Sequence, residues 1–447
     1  MKVLNTLLVL VVLVVAAVVG GVYWLASGPG PLDFAAKGQP AAPAYEGPSP
    51  TGVPAELAQA DIVTRGQYLA RAADCVGCHT AQGGQAWVGA RAFKTPFGTI
   101  YSTNITPDRE TGIGAWSDAE FLRSLKQGVG RRGEHLYPAF PFESYAHMAD
   151  ADGLAIKAYL FTLKPVRMPT PANAMIFPAD QRWLMAVWKA LFSREQGFQP
   201  VAGRSVEWNR GAYLAEALAH CGDCHTQRTL LQSLDNRRKF AGGVASGWNA
   251  YNITSDRLTG VGAWSDDDLV SYLSSGHASG HGTATGPMGD AVDLGLRYLT
   301  PGDTKALVTY LRSIPAVASH NLSPTLAGPA TSSPKPVVPV IGEARGKRIF
   351  EGACVSCHGW DGAGSLTTYA TLTGSRSVND PSAVNVAHVV LAGSRRRTAQ
   401  GEVFMPAFGK AYSDAEIAAV ANYVTTRFGA QSSKLTANDV RGLRGQD

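Results

Sequence analysis

With 447 residues the chain is too long for one small core and of a length for three small domains. A formal charge of +5 is too slight to point to nucleic acid, which is not an expected partner. The 49 glycines and 26 prolines suit loops that wrap a cofactor better than an extensive sheet, so a mainly α chain is expected.

Residues 3–26 are apolar except for Asn5 and Thr6, and Lys2 stands just before them. The run is long enough to span a bilayer. A cleaved secretory signal usually has a shorter apolar stretch that ends at a small-x-small site. Here the run ends at Tyr23 and Trp24, which favour a membrane interface. The expectation is a retained transmembrane anchor over 1–27 in a bacterial inner membrane, with Lys2 on the inner side and the body in the periplasm. Residues 28–60 follow as a linker, because 28–54 is rich in Pro, Gly and Ala and reads as a tether that cannot bury a core.

Three copies of Cys-x-x-Cys-His come next: Cys75, Cys78 and His79, then Cys221, Cys224 and His225, then Cys354, Cys357 and His358. Together they use every cysteine of the chain. Two thiols at that spacing can add across the vinyl groups of a haem, and the following histidine is placed to ligate its iron. Three covalently bound haem c groups are therefore the expected cofactors. Zinc would want a second cysteine pair at finger or ribbon spacing, and these motifs lie over a hundred residues apart. A thioredoxin-like redox pair would need a βαβ unit that the pattern lacks, and structural disulfides give no reason for the histidines.

Internal repetition sets the domains. RGQYLARAADCVGCHT from Arg65 matches RGAYLAEALAHCGDCHT from Arg210, with ARGKRIFEGACVSCHG from Ala344 a weaker copy. YSTNITPDRETGIGAWSDAEF from Tyr101 recurs, shortened at its start, as YNITSDRLTGVGAWSDDDL from Tyr251. Each unit opens with a helix that runs into its motif, as Tyr68, Leu69 and Ala72 indicate, and closes with a second helix. The closing helices are expected over 149–163, 300–314 and 413–428, each starting near a capping residue and carrying Tyr159, Tyr310 or Tyr423 on its apolar face. The resulting division is three domains over 61–165, 204–315 and 341–430. A connector over 166–203 contains an aromatic run, 183–192, that reads as a helix packing between domains; a Pro-rich linker covers 316–340 and a tail 431–447.

A thioether opposite the histidine raises a haem's potential. Met405, in FMPAF, and Met288, in GPMGD, are the only methionines of their domains and stand before the closing helices. In the first domain Met148, Met168, Met175 and Met185 compete, and Met148 matches the others in position; His135, His147, His277, His281 and His388 remain rival ligands. Asn104 and Trp116, repeated as Asn252 and Trp264 downstream of Tyr101 and Tyr251, read equally as propionate contacts or as loop packing. The basic run 395–397 reads first as a solvated loop and second as a face for a partner or anionic lipid.

These motifs, with GTIYSTNITPD from Gly98, TGIGAWSD from Thr111, HLYPAFPFESYAHM from His135 and MPAFG from Met405, make the chain similar to a known family over most of 60–430. It resembles the three-haem cytochrome c subunits of membrane-bound periplasmic dehydrogenases, such as alcohol, aldehyde and gluconate dehydrogenases. The resemblance implies three tandem cytochrome c domains, here after the transmembrane helix that the N-terminal run predicts, whereas the usual family member looks like a protein with a cleaved signal. It also implies a respiratory role: a catalytic subunit, with or without a small iron-sulfur subunit, oxidises an alcohol, aldehyde or sugar acid, and electrons pass through the haems to ubiquinone. The cytochrome would do no substrate chemistry of its own. Related chains often carry methionine where this one has Phe140, which leaves Met148 as the ligand expected here. A free-standing relay to a terminal oxidase and a peroxidase-like enzyme with one open haem position are the competing readings.

Overall fold

A computed structural model describes residues 2–36, 44–193, 197–319, 341–398 and 401–445. The chain is mainly helical, and its architecture is three pairs of crossing helices. Ile62–Ala72 crosses Asp150–Leu160, Val206–Tyr213 crosses Pro301–Arg312, and Ile341–Ala353 crosses Asp414–Phe428. A glycine permits each crossing. A Cβ on Gly66 would lie 1.8 Å from the Ala155 carbonyl oxygen, one on Gly211 1.9 Å from that of Ala306, and one on Gly346 2.2 Å from that of Ala419. Tyr159, Tyr310 and Tyr423 press against the same three glycines. The repeated Arg-Gly of the sequence is thus a packing signal, because any side chain there would push the helices apart.

The first two repeats interlock reciprocally. Tyr68, on the opening helix of the first, donates to Asp303 Oδ2 at 2.6 Å and accepts from the Thr300 N–H at 3.2 Å, at the start of the second repeat's closing helix. Tyr213, on the opening helix of the second, donates to Asp152 Oδ2 at 2.5 Å and accepts from the Ala149 N–H at 3.2 Å. Thr300 caps its helix through its own side chain, and Ser413 does so in a capping box with Glu416. Ala149 has no side chain able to cap, so the expected local cap of the first closing helix is replaced by a hydroxyl from the other repeat. One apolar core, from Leu69 and Ile156 to Leu214 and Tyr310, runs through both repeats, while the third has its own around Phe350, Ile417 and Val424.

Two segments outside the expected domains are packed. In the 28–60 linker Phe34 lies 6.5 Å from Trp208 and 6.1 Å from Tyr310, and Ala35 is fully buried. One aromatic suffices to dock a stretch otherwise poor in core residues. The 431–447 tail contains the helix Ala437–Leu443, whose Val440 is buried in the third core. Within the connector, helix Leu184–Phe192 does bridge repeats: Trp188 packs edge-on against Phe142 and donates to the Leu231 carbonyl at 2.6 Å. Trp183 and Val187 of the same run are exposed. The Pro-rich linker lies almost wholly outside the described residues.

Lys2–Ala26 forms one continuous helix of 25 residues. Many of its side chains lie outside the described set, and among the described residues no helix is long and apolar enough to cross a membrane. Its C-terminal end meets the second repeat, where the Arg237 guanidinium sits 4.1 Å over the Trp24 ring.

Candidate haem sites

Each Cys-x-x-Cys-His motif lies on a short helical turn, Cys75–Cys78, Gly222–His225 and Val355–His358. All three imidazoles are held alike: His79 Nδ1 lies 2.6 Å from the Thr103 carbonyl oxygen, His225 Nδ1 2.6 Å from that of Tyr251, and His358 Nδ1 2.6 Å from that of Ala370. A carbonyl only accepts, so Nδ1 carries the proton and Nε2 keeps its lone pair for a metal. Desolvation lowers the pKa of all three, against the opposing carbonyl bond, so the rings are neutral as iron ligation requires.

Asn104 and Asn252 have the scaffold role rather than the propionate role. Asn104 Nδ2 donates to the Val166 carbonyl at 2.7 Å and to Thr111, while its Oδ1 accepts from Thr106; Asn252 makes the same set with Val317, Thr259 and Thr254. Each asparagine directly follows the residue whose carbonyl holds the histidine, so its fully used amide fixes the loop that sets the imidazole. Sequence repetition marked these asparagines; the carbonyls have no sequence signal, because any residue can supply one.

A cavity of about 880 Å³ opens beside the first motif, lined by Cys75, Cys78, His79, Trp116, Phe140 and Tyr145 among others, mostly apolar, with Arg109, Arg131, Arg132 and Arg182 also in its wall. Its size and lining fit a flat apolar macrocycle with two carboxylates. Loss of solvation pushes the Cys75, Cys221 and Cys224 thiols up to about 12, Cys354 to about 11, and Cys78 higher still. These cysteines are all unpaired. Among the described residues no group of His, Cys, Asp or Glu is arranged to hold a metal ion. Protonated, unpaired thiols beside an imidazole fit thioether formation with a haem.

A side chain that meets a cofactor presents surface to the space that receives it. All six cysteines, the three motif histidines, Met288 and Met405 are partly exposed. Met288 sits on the helix Gly286–Leu294 and packs on the core that also holds Cys221; Met405 ends the strand Gly401–Met405 and packs on the core that holds Cys354. Met148 differs: it is 1% exposed, is absent from the cavity's lining, and lies under Gly153 of the closing helix. Met148, expected opposite His79, is thus packed in the first core and is not among the residues that line the cavity. It stands at the matching point of the chain, just before the closing helix Asp150–Leu160. Of the rival histidines, His388 stacks on Trp248 at 4.6 Å, His281 on Trp264 at 4.0 Å, and His277 lies 4.6 Å from Tyr369.

The sites adjoin one another. Cys224 lies near enough to Cys78 to add to the upward push on its thiol, and Tyr145 stands edge-on to His220 at 5.7 Å while donating to the Ala73 carbonyl at 2.8 Å. The second and third repeats meet through the residues that hold their histidines: Tyr251 Oη donates to Asp380 at 3.1 Å, and Thr283 donates to the Tyr369 carbonyl, one residue before Ala370, at 3.0 Å. Arg396, in the run that reads from sequence as a solvated loop, is 3% exposed at its side chain; it donates to the Gly289 carbonyl at 2.7 Å and to Asp293 at 3.0 Å. It thereby ties the hairpin that bears Met405 to the helix that bears Met288. Alternation along a strand buries this one arginine between two outward neighbours, which a count of charges cannot reveal.

Crossing helix pairs with a Cys-x-x-Cys-His turn between them define a c-type cytochrome, and the cytochrome c family matches residues 63–164 and 343–427. The chain is 40% identical over 377 residues to a nicotinate dehydrogenase subunit of Pseudomonas putida, covering 83% of this chain but 31% of that protein. It is 37% identical to the fructose dehydrogenase cytochrome subunit of Gluconobacter japonicus, covering 86% and 82% of the two chains, and 36% identical to the gluconate 2-dehydrogenase cytochrome c subunit of Pantoea cypripedii, covering 86% and 89%. The chain belongs to this family of dehydrogenase cytochrome c subunits, and its role is electron transfer.

Proposed function

We propose that the chain carries three haem c groups, in cytochrome units over 61–165, 204–315 and 341–430, and passes electrons one at a time from a catalytic dehydrogenase subunit to ubiquinone. The observation that carries this reading is the threefold recurrence of one arrangement: a cysteine pair, a histidine with Nδ1 bonded to a backbone carbonyl, and Nε2 left free. The groups attach through Cys75 and Cys78, Cys221 and Cys224, and Cys354 and Cys357, with His79, His225 and His358 on the irons. Met288 and Met405 are the opposite ligands of the second and third. Bound haem supplies one-electron chemistry; the polypeptide sets its potential through ligand, burial and hydrogen bonds, and holds the sites close enough for transfer.

The partner oxidises an alcohol, aldehyde or sugar acid, with or without a small iron-sulfur subunit. Helix Lys2–Ala26 anchors the chain in the bacterial inner membrane, with the body in the periplasm, in reach of quinone. Its unbroken helicity and apolar sequence support this. Gentle detergent extraction of native membranes, followed by haem absorbance and mass spectrometry of what co-elutes, tests the proposal. A large partner whose alcohol, aldehyde or sugar-acid substrate reduces the haems is expected. A cytochrome that elutes alone and is reduced by no such substrate would favour the free-standing relay instead.

A further inference from the structure

Iron held by His79 needs a donor on its other face to be six-coordinate. Among the described residues that line the first cavity there is no methionine and no lysine, and His79 is the only histidine. Several of the remaining oxygen and nitrogen donors are bonded elsewhere, and Asp74, whose Oδ1 has no hydrogen-bond partner, directly precedes Cys75 at the start of the attachment turn. Tyr137 Oη donates to the Ala179 carbonyl at 2.8 Å and Tyr145 Oη to the Ala73 carbonyl at 2.8 Å. Desolvation pushes both phenols up, so each stays a neutral donor. Glu110 pairs with Arg167 at 2.5 Å, Glu134 accepts from the Arg132 N–H at 2.9 Å, and the Asn104 amide is fully used. Tyr101 is two residues from Thr103, whose carbonyl holds His79, and so belongs to the histidine's own wall.

The loop before the closing helix brings Arg131, Arg132 and Glu134 to the cavity from its first part and mainly apolar groups, Leu136, Ala139, Phe140 and Pro141, from its last. Phe140 packs edge-on to Tyr145 at 5.6 Å, and both line the space, together with Phe121 and Leu125. An aromatic wall offers no lone pair, and it favours small uncharged molecules over water or anions. The second and third sites differ, since each presents a partly exposed methionine.

We propose that the first haem site has no protein ligand opposite His79 and binds a small neutral diatomic, carbon monoxide or nitric oxide, in the space walled by Phe140. The inference rests on attachment of a haem at Cys75 and Cys78, so the test separates the two claims. Haem per chain is counted first, by the pyridine haemochrome of the purified holoprotein. The reduced holoprotein is then exposed to carbon monoxide and its absorbance change recorded, with the ferric form examined by electron paramagnetic resonance. Three haems, of which one is high-spin and takes carbon monoxide, is the expected result. Phe140→Met should supply a thioether, remove the high-spin signal and abolish carbon monoxide binding, whereas Met148→Leu should leave both unchanged. Three haems that are all low-spin and silent to carbon monoxide would overturn the inference while leaving attachment intact, as would new carbon monoxide binding gained on Met148→Leu. Fewer than three haems would overturn attachment itself. The wild-type measurement decides the matter even if the Phe140 variant fails to fold.

Discussion

Removing Asp303 should unlock the first two repeats. Its carboxylate accepts from Arg210 Nε at 2.8 Å, from Arg210 Nη2 at 2.6 Å and from Tyr68 Oη at 2.6 Å, and the two charged side chains are only 4% and 12% exposed. Burial, the largest single influence, would lower the Arg210 guanidinium, but the bond and charge of Asp303 together with Tyr68 and Tyr213 outweigh it and hold the group above its ordinary value. Asp303→Ala leaves that cation buried with only the Pro50 and Gly52 carbonyls as acceptors. Breaking one side of a buried pair costs about 3–5 kcal/mol, and the stranded Tyr68 hydroxyl adds about 1 kcal/mol. Because one core spans both repeats, the loss should appear as a single shifted transition. Urea unfolding of the holoprotein, read by haem absorbance with an unchanged slope, measures it. The double variant Asp303→Leu with Arg210→Met should recover most of the loss, since an apolar pair of similar volume replaces a buried ion pair at little cost. A loss under about 1 kcal/mol for Asp303→Ala would mean that the pair is solvated and that it does not lock the repeats together.

Asp74, beside the first motif, is pushed up to about 7, chiefly by burial and further by Asp290, against Arg91. Its folded value lies above the ordinary 3.8, so the stability it permits is whole at low pH and is lost as pH rises through about 7. Ionisation there favours ferric iron, so the first haem's midpoint potential should fall by on the order of tens of millivolts across that window, and Asp74→Asn should flatten the titration. Met405→Leu and Met288→Leu should each lower the potential of one haem by on the order of 100 mV, within the ~0.8 V that axial ligands span; three unchanged potentials in a redox titration would sink both assignments. Arg396→Ala should cost about 2 kcal/mol at the joint of the second and third repeats, less than a full buried pair because Asp293 keeps Arg297 at 3.2 Å, and should speed proteolytic release of the third repeat. Asn252→Ala should destabilise the second repeat by about 2 kcal/mol and broaden the signal of the haem held by His225, by freeing the Tyr251 carbonyl.

What could be read in the sequence was what local chemistry dictates. The attachment motifs follow from covalent chemistry, and the closing helices from periodicity: 300–314 and 413–428 are found as Pro301–Arg312 and Asp414–Phe428. Contacts made only by tertiary approach were hidden. Tyr68 and Tyr213 look like ordinary core aromatics until each meets the other repeat's aspartate. Arg396 looks like its exposed neighbours until the strand turns it inward. Met148 illustrates the same limit at the site: position along the chain matches it to Met288 and Met405, but which way a side chain faces is set by tertiary packing, and Met148 lies in the core shared by the first two repeats.

Whether the chain carries three haems, one at each motif, is decided by intact-mass spectrometry of the purified polypeptide, alone and with each cysteine pair replaced by alanine. Three haem additions are expected on the wild-type chain, with one lost on each of the Cys75 and Cys78, Cys221 and Cys224, and Cys354 and Cys357 replacements. A wild-type chain with fewer than three additions, or a pair whose replacement removes none, would rule out a three-haem relay.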